Sequence, residues 1–205
     1  ELGRFVEAVR PFHAKLRRGA PVVAYGYEIK FSHVTNLLAA SFDEFERLFM
    51  RPSGVRFVFV MRRNALRQHV SALRAMATKQ WHAAVGEAVA DARVAIDVRK
   101  LHDMAYYPSA PYTLAQFLEV RELNQAAMTA LAARTGSPVI LYDDYADRIA
   151  DAARVVLGAL DIEASPPEPA YRRTGEGAID DLVENADEVR AALAGSRFAW
   201  MAADP

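Results

Sequence analysis

Two adjacent arginines, Arg62 and Arg63, follow the apolar run VRFVFVM at residues 55–61, and the continuation RRNALRQHVSALRA places Arg67, Ser71, Arg74 and Thr78 at helical spacing. Guanidinium groups carry forked N–H donors that match the oxygens of phosphate or carboxylate, and a serine hydroxyl adds a short donor. A helix starting beside them would contribute unpaired backbone N–H groups and the positive end of its dipole. If 55–61 is a strand of an open parallel sheet, the arginines leave its carboxyl end, the edge at which such sheets bind ligands. The chemistry offered is anion binding, with phosphate the favoured ligand. Arginines after a strand are equally compatible with solvated loop positions or ion-pair partners, and a serine on a polar stripe with simple hydration.

The elements that must position these residues read as follows. PVVAYGYEIK (21–30), VRFVFVM (55–61) and SPVILYD (137–143) are rich in β-branched or aromatic residues and bounded by turn formers, which predicts core strands. Helical segments follow each. Asn64 suits the N-cap of the helix after the arginines, where Leu66, Val70, Leu73 and Ala77 would face the sheet. Ser41 with Glu44 and Thr113 with Gln116 have capping-box spacing, and Gly136 stands where a helix ending near Thr135 needs a left-handed residue. The SPPEP run at 165–169 predicts a stiff extended loop before a last helix with an apolar stripe of Ile179, Leu182, Val183, Val189 and Leu193. Strands alternating with helices predict an α/β fold, a mainly parallel central sheet flanked by helices, in one domain over 1–205.

Composition narrows the function. With 52% hydrophobic and 25% charged residues the chain reads as globular, and a formal net charge of −1 argues against a broad nucleic-acid surface. The absence of cysteine removes disulfides and thiolate chemistry and fits a cytoplasmic protein. No apolar run is long enough for a transmembrane segment. His13, His69 and His102 have no metal-site spacing, so no metal is expected.

The segment RRNALRQHVSALRA resembles the 3′-phosphate-binding segment of sulfotransferases, where an arginine at a strand end is followed eight residues later by a serine; these are Arg63 and Ser71. KQWH (79–82) is similar to a Trp-containing motif of bacterial carbohydrate sulfotransferases acting on trehalose, nodulation factors and lipopolysaccharide. GYEIKFSH resembles their Gly-aromatic-Xaa-Xaa-Lys strand, VILYDDYADRIADAARVVLGALDI their tyrosine-acid strand end, and DLVENADEVRAALAGSRFAWM the terminal helix of the nodulation-factor and lipopolysaccharide subgroup. The resemblance spans most of the chain. Those enzymes also carry a first strand and a Gly/Ser/Thr-rich loop for the 5′-phosphosulfate; none of the ten glycines here forms such a loop, which is expected upstream of Glu1.

The resemblance implies a P-loop-like sulfotransferase fold and transfer of a sulfuryl group from 3′-phosphoadenosine 5′-phosphosulfate (PAPS) to a hydroxyl of a carbohydrate, glycolipid or small-molecule acceptor, without a metal. It assigns Arg63 and Ser71 to the 3′-phosphate, joined by Arg172 and Arg173 from a C-terminal basic segment. Arg62 is expected to flank the site or pair with a carboxylate. Glu1 and His33 are candidates for the general base, Lys30 for stabilising the transferring group, and Trp81 and His82 for lining the acceptor cleft. Two other classes fit the same architecture. A P-loop-type small-molecule kinase would use Asp143 or Asp144 to hold magnesium, and a non-catalytic binding module would retain the fold alone.

Overall fold

The computed structural model describes residues 28–30, 34, 41–101, 111–145, 148–172 and 177–203. Helix α1 (Phe42–Phe45) runs through a π-helical turn (Glu46–Met50) into α2 (Arg51–Ser53), and strand β1 (Phe59–Met61) precedes α3 (Ala65–Thr78). A short strand β2 (Ala83–Ala84) is followed by the long α4 (Leu114–Thr135), β3 (Val139–Leu141), α5 (Tyr142–Tyr145) and α6 (Ile149–Ala159). Strand β4 (Tyr171–Arg172), α7 (Ile179–Leu182), α8 (Ala186–Leu193) and α9 (Ala199–Ala203) complete the order.

Local chemistry sets the helix limits. Ser41 Oγ accepts from the Glu44 N–H at 3.2 Å while the Glu44 carboxylate accepts from the Ser41 N–H at 2.9 Å, closing the capping box that starts α1. Thr113 and Gln116 do the same for α4. Gly136, at φ 63°, ends α4 in the left-handed conformation that glycine adopts without a Cβ clash.

Among the described residues the central sheet is the parallel pair β1–β3, with Phe59 opposite Val139, Val60 opposite Ile140 and Met61 opposite Leu141. The α/β expectation holds at that level, with shorter strands than the apolar runs suggest. The Phe59 N–H donates to the Pro138 carbonyl at 2.9 Å, but Pro138 has no N–H to give the carbonyl of Phe57, so the parallel ladder stops there. At the other end Tyr142 and Asp143, expected as strand, turn into α5. Of the run 21–30, residues 28–30 are irregular and the rest lies outside the described residues.

Two apolar clusters hold the elements. In the larger, Leu66 and Val70 of α3 meet Val94 and Ile96 of the following segment, Leu114 and Leu118 of α4, and Val189 and Leu193 of α8. Leu73 packs at its margin, whereas Ala77 is exposed, so the predicted α3 stripe is buried only over its first half. The smaller cluster gathers Phe45, Phe49, Met50 and Leu131 with Phe57 and Phe59 against it; Phe49 and Phe57 meet edge-to-face at 5.9 Å.

The expected last helix is two. Val183 leaves helical geometry, at φ −121° and ψ 130°, to bridge Val94 in parallel. The Asn185 side chain then accepts from the Ile96 N–H at 2.9 Å and donates to the Ile96 carbonyl at 2.8 Å. Those strand-like bonds replace helical ones, while Ile179, Leu182, Val183, Val189 and Leu193 all stay buried.

Glu46 ties the first helical stretch to α4. Its buried carboxylate accepts from Arg51 at 2.7 and 3.0 Å and from Arg134 Nε at 2.9 Å. The hydrogen bonds from Arg51, then those from Arg134, hold its pKa below the ordinary 4.5. A carboxylate whose folded pKa is depressed stabilises the fold fully above its unfolded pKa and loses that contribution as pH falls through the folded value. Denaturant titrations below pH 4.5 should therefore show stability falling with pH, with a shallower fall for Glu46→Gln. Leu66→Ala, emptying a fully buried site in the larger cluster, should cost about 2–5 kcal/mol in the same titrations at neutral pH.

Candidate functional site

Because β1 and β3 are parallel and Met61 lies opposite Leu141, Arg62 and Arg63 emerge beside Tyr142, Asp143 and Asp144 at one sheet edge. Arg63 makes two kinds of bond there. Its backbone N–H donates to Asp143 Oδ2 at 2.6 Å, and its guanidinium grips Asp144 through two parallel bonds of 2.7 Å each. That pair raises the Arg63 pKa and lowers that of Asp144, the mutual side-chain hydrogen bond being the main cause in each case. Arg62 sits 3.8 Å from Asp143 Oδ1, stacks 4.9 Å above the Tyr142 ring, and its carbonyl accepts from Gln125 at 2.6 Å.

Asn64 builds the start of α3 as its spacing predicts. Its side-chain oxygen accepts from the Arg67 N–H at 3.0 Å, and its amide donates to the Met201 carbonyl at 2.9 Å, fastening α3 to α9. Further along the stripe that includes Ser71, the other arginines have structural partners. Arg67 is buried and donates to the Gly177 carbonyl at 2.6 Å; Arg74 is buried and donates to the Ala92 carbonyl at 2.7 Å. Ser71 lies between them, half-buried, and Thr78 bonds back to the Arg74 carbonyl at 2.8 Å. His69 is buried against the Phe117 ring at 4.8 Å.

The remaining predicted residues fall into two groups. Strands β2 and β4 pair antiparallel, Ala83 opposite Arg172 and Ala84 opposite Tyr171, and the His82 ring lies 5.1 Å from that of Tyr171. The two residues after KQWH are thus joined to Tyr171 and Arg172 in one ribbon, with Trp81 exposed. Arg173, Glu1 and His33 lie outside the described residues, and Lys30 is exposed in irregular backbone.

Sequence reasoning missed that Asp143 and Asp144, candidates there for holding magnesium, form the acidic half of the strand edge and pair with the arginines. The signal was available, since an acidic pair at the end of one parallel strand faces a basic pair at the end of its neighbour. It also missed a cavity of about 230 Å³ beside Arg63, lined among others by Ala65, Glu122, Gln125, Arg197 and Trp200. Arg197 there pairs with Glu122 at 2.6 Å. A larger cavity of about 530 Å³ lies at the amino ends of the strands, away from the paired arginines, with Glu46, Arg51, Arg134 and Pro138 on its wall.

Among the described residues, no group of three His, Asp or Glu side chains is placed to hold a metal ion, and no helix is long and apolar enough to cross a membrane. No protein-family model, curated protein or solved structure matches the chain.

Asn64 offers a test of how the edge is assembled. Asn64→Ala should lower stability by about 1–3 kcal/mol, removing the cap and leaving the Met201 carbonyl without its donor. Asn64→Asp keeps the cap acceptor but turns a buried carboxylate oxygen onto the Met201 carbonyl, and should be at least as destabilised as alanine in urea unfolding.

Proposed function

We propose that the protein is a PAPS-dependent sulfotransferase acting on a carbohydrate, glycolipid or small-molecule hydroxyl, with a P-loop-like fold and a cytoplasmic location. The observation that carries this reading is the Arg63 guanidinium. It stands at the carboxyl end of a parallel strand and grips both oxygens of one carboxylate, the two-point geometry by which arginine also holds phosphate. The helix that follows begins at once, and Ser71 lies on it eight residues after Arg63. These features support assigning the donor's 3′-phosphate to Arg63 and Ser71, with Arg172 and Arg173 as further basic groups.

In this reading the acceptor oxygen forms a bond to sulfur as the bond from sulfur to the 5′-phosphate oxygen breaks. The electron pair leaves with adenosine 3′,5′-bisphosphate, and the hydroxyl proton passes to a general base, for which Glu1 and His33 are the candidates. Charge spreads over the sulfuryl oxygens, where Lys30 would act as a positioned cation. Trp81 and His82 would face the acceptor. A P-loop-type small-molecule kinase is the alternative, with Asp143 and Asp144, which face the arginines at this strand edge, as its magnesium-holding groups.

Thermal unfolding of the full-length protein tests the assignment. Adenosine 3′,5′-bisphosphate at 100 times its dissociation constant should stabilise the fold by about 2.7 kcal/mol. A response to ATP with Mg²⁺ alone would favour the kinase; no response to either ligand would sink the transferase reading. Arg63→Ala should weaken the bisphosphate by about 1.5–3 kcal/mol and Ser71→Ala by about 0.5–1.5 kcal/mol, measured by calorimetric titration.

A further inference from the structure

We propose that Asp144 is an internal competitor for the phosphate site: its carboxylate occupies the Arg63 guanidinium in the ligand-free protein and must be displaced for a phosphate to bind. The proposal rests on the phosphate-site reading above and adds a regulatory partner to it. Both Asp144 oxygens bond the guanidinium at 2.7 Å, one to Nη1 and one to Nη2, so the end-on edge of Arg63, by which it would meet two phosphate oxygens from beyond the strand end, is already taken.

Displacement is cheap. The two side chains keep 50% and 40% of their exposure, and an ion pair that wet favours its closed state by only about fivefold or less. Asp143 separately holds the Arg63 backbone N–H at 2.6 Å, so releasing the guanidinium leaves the strand end in place. Arg148, whose guanidinium donates to the Asp144 carbonyl at 2.7 Å, is a second cation beside the displaced carboxylate. A bound phosphate and an ionised Asp144 would also repel each other at close range. Competition and repulsion act in the same direction: Asp144 weakens phosphate binding.

Calorimetric titration of adenosine 3′,5′-bisphosphate at fixed ionic strength into wild type, Asp144→Asn, Asp144→Ala, Arg63→Ala and the Arg63→Ala/Asp144→Ala double variant tests this. Both Asp144 variants should bind the bisphosphate about three- to fivefold more tightly, alanine at least as tightly as asparagine, because an asparagine oxygen can still accept from Arg63. The gain should vanish in the double variant relative to Arg63→Ala, and adenosine 5′-phosphate, which lacks the 3′-phosphate, should show none. Unchanged or weaker binding in both folded Asp144 variants, with Arg63→Ala still impaired, would overturn the competitor role and leave the phosphate site standing. Arg63→Ala binding as well as wild type, or no binding by any variant, would overturn both.

Discussion

Two strands paired in parallel must end at the same edge of their sheet, and the described site follows from that constraint. The ladder is only three residues long on each side, yet its register places the residues after Met61 against those after Leu141. A basic pair and an acidic pair thereby face each other across one strand spacing. An antiparallel pairing would have sent them to opposite ends. Everything else at the edge, from the Asp143 bond on the Arg63 backbone to the Gln125 bond on the Arg62 carbonyl, stabilises that meeting.

The arginines at the end of β1 and along α3 divide between two tasks. Arg67 and Arg74 are taken out of water, which is tolerable because each directs N–H groups at backbone carbonyls of segments that pack over the helix. They serve as clamps. Arg63 remains half in water, held by a carboxylate of similar exposure. Burial and partner type, not residue identity, separate these clamps from Arg63.

That division explains what the sequence could and could not disclose. The caps at Ser41, Asn64, Thr113 and Gly136 were legible because each depends on residues within three or four positions of one another. The position of Arg63 was legible because strand, turn and helix follow in order. The fates of Arg67 and Arg74 were not, since their carbonyl partners lie as far as 110 residues away in the chain. The break at Val183 was also hidden: apolar spacing continues through it, and the bridge to Val94 with the bonds between Asn185 and Ile96 is what draws the backbone out of the helix. The joining of Trp81 and His82 to the Arg172 segment depends on β2 and β4, two residues each, too short to give a periodic signal.

The bond from Asn64 to the Met201 carbonyl spans 137 residues, the Arg67 clamp on Gly177 spans 110, and the Arg63 contacts with Asp143 and Asp144 span 80 and 81. A chain emerging from its amino end meets these partners in a fixed order: first the carboxylates that quiet Arg63, then the carbonyl over Arg67, and last the residue that fastens the helix start. Such distant closures come slowly, because each must repay the entropy of the loop it closes. Synthesis from the amino end therefore supplies the counter-ion of Arg63, at residue 144, before the Gly177 and Met201 carbonyls that hold the following helix have been made.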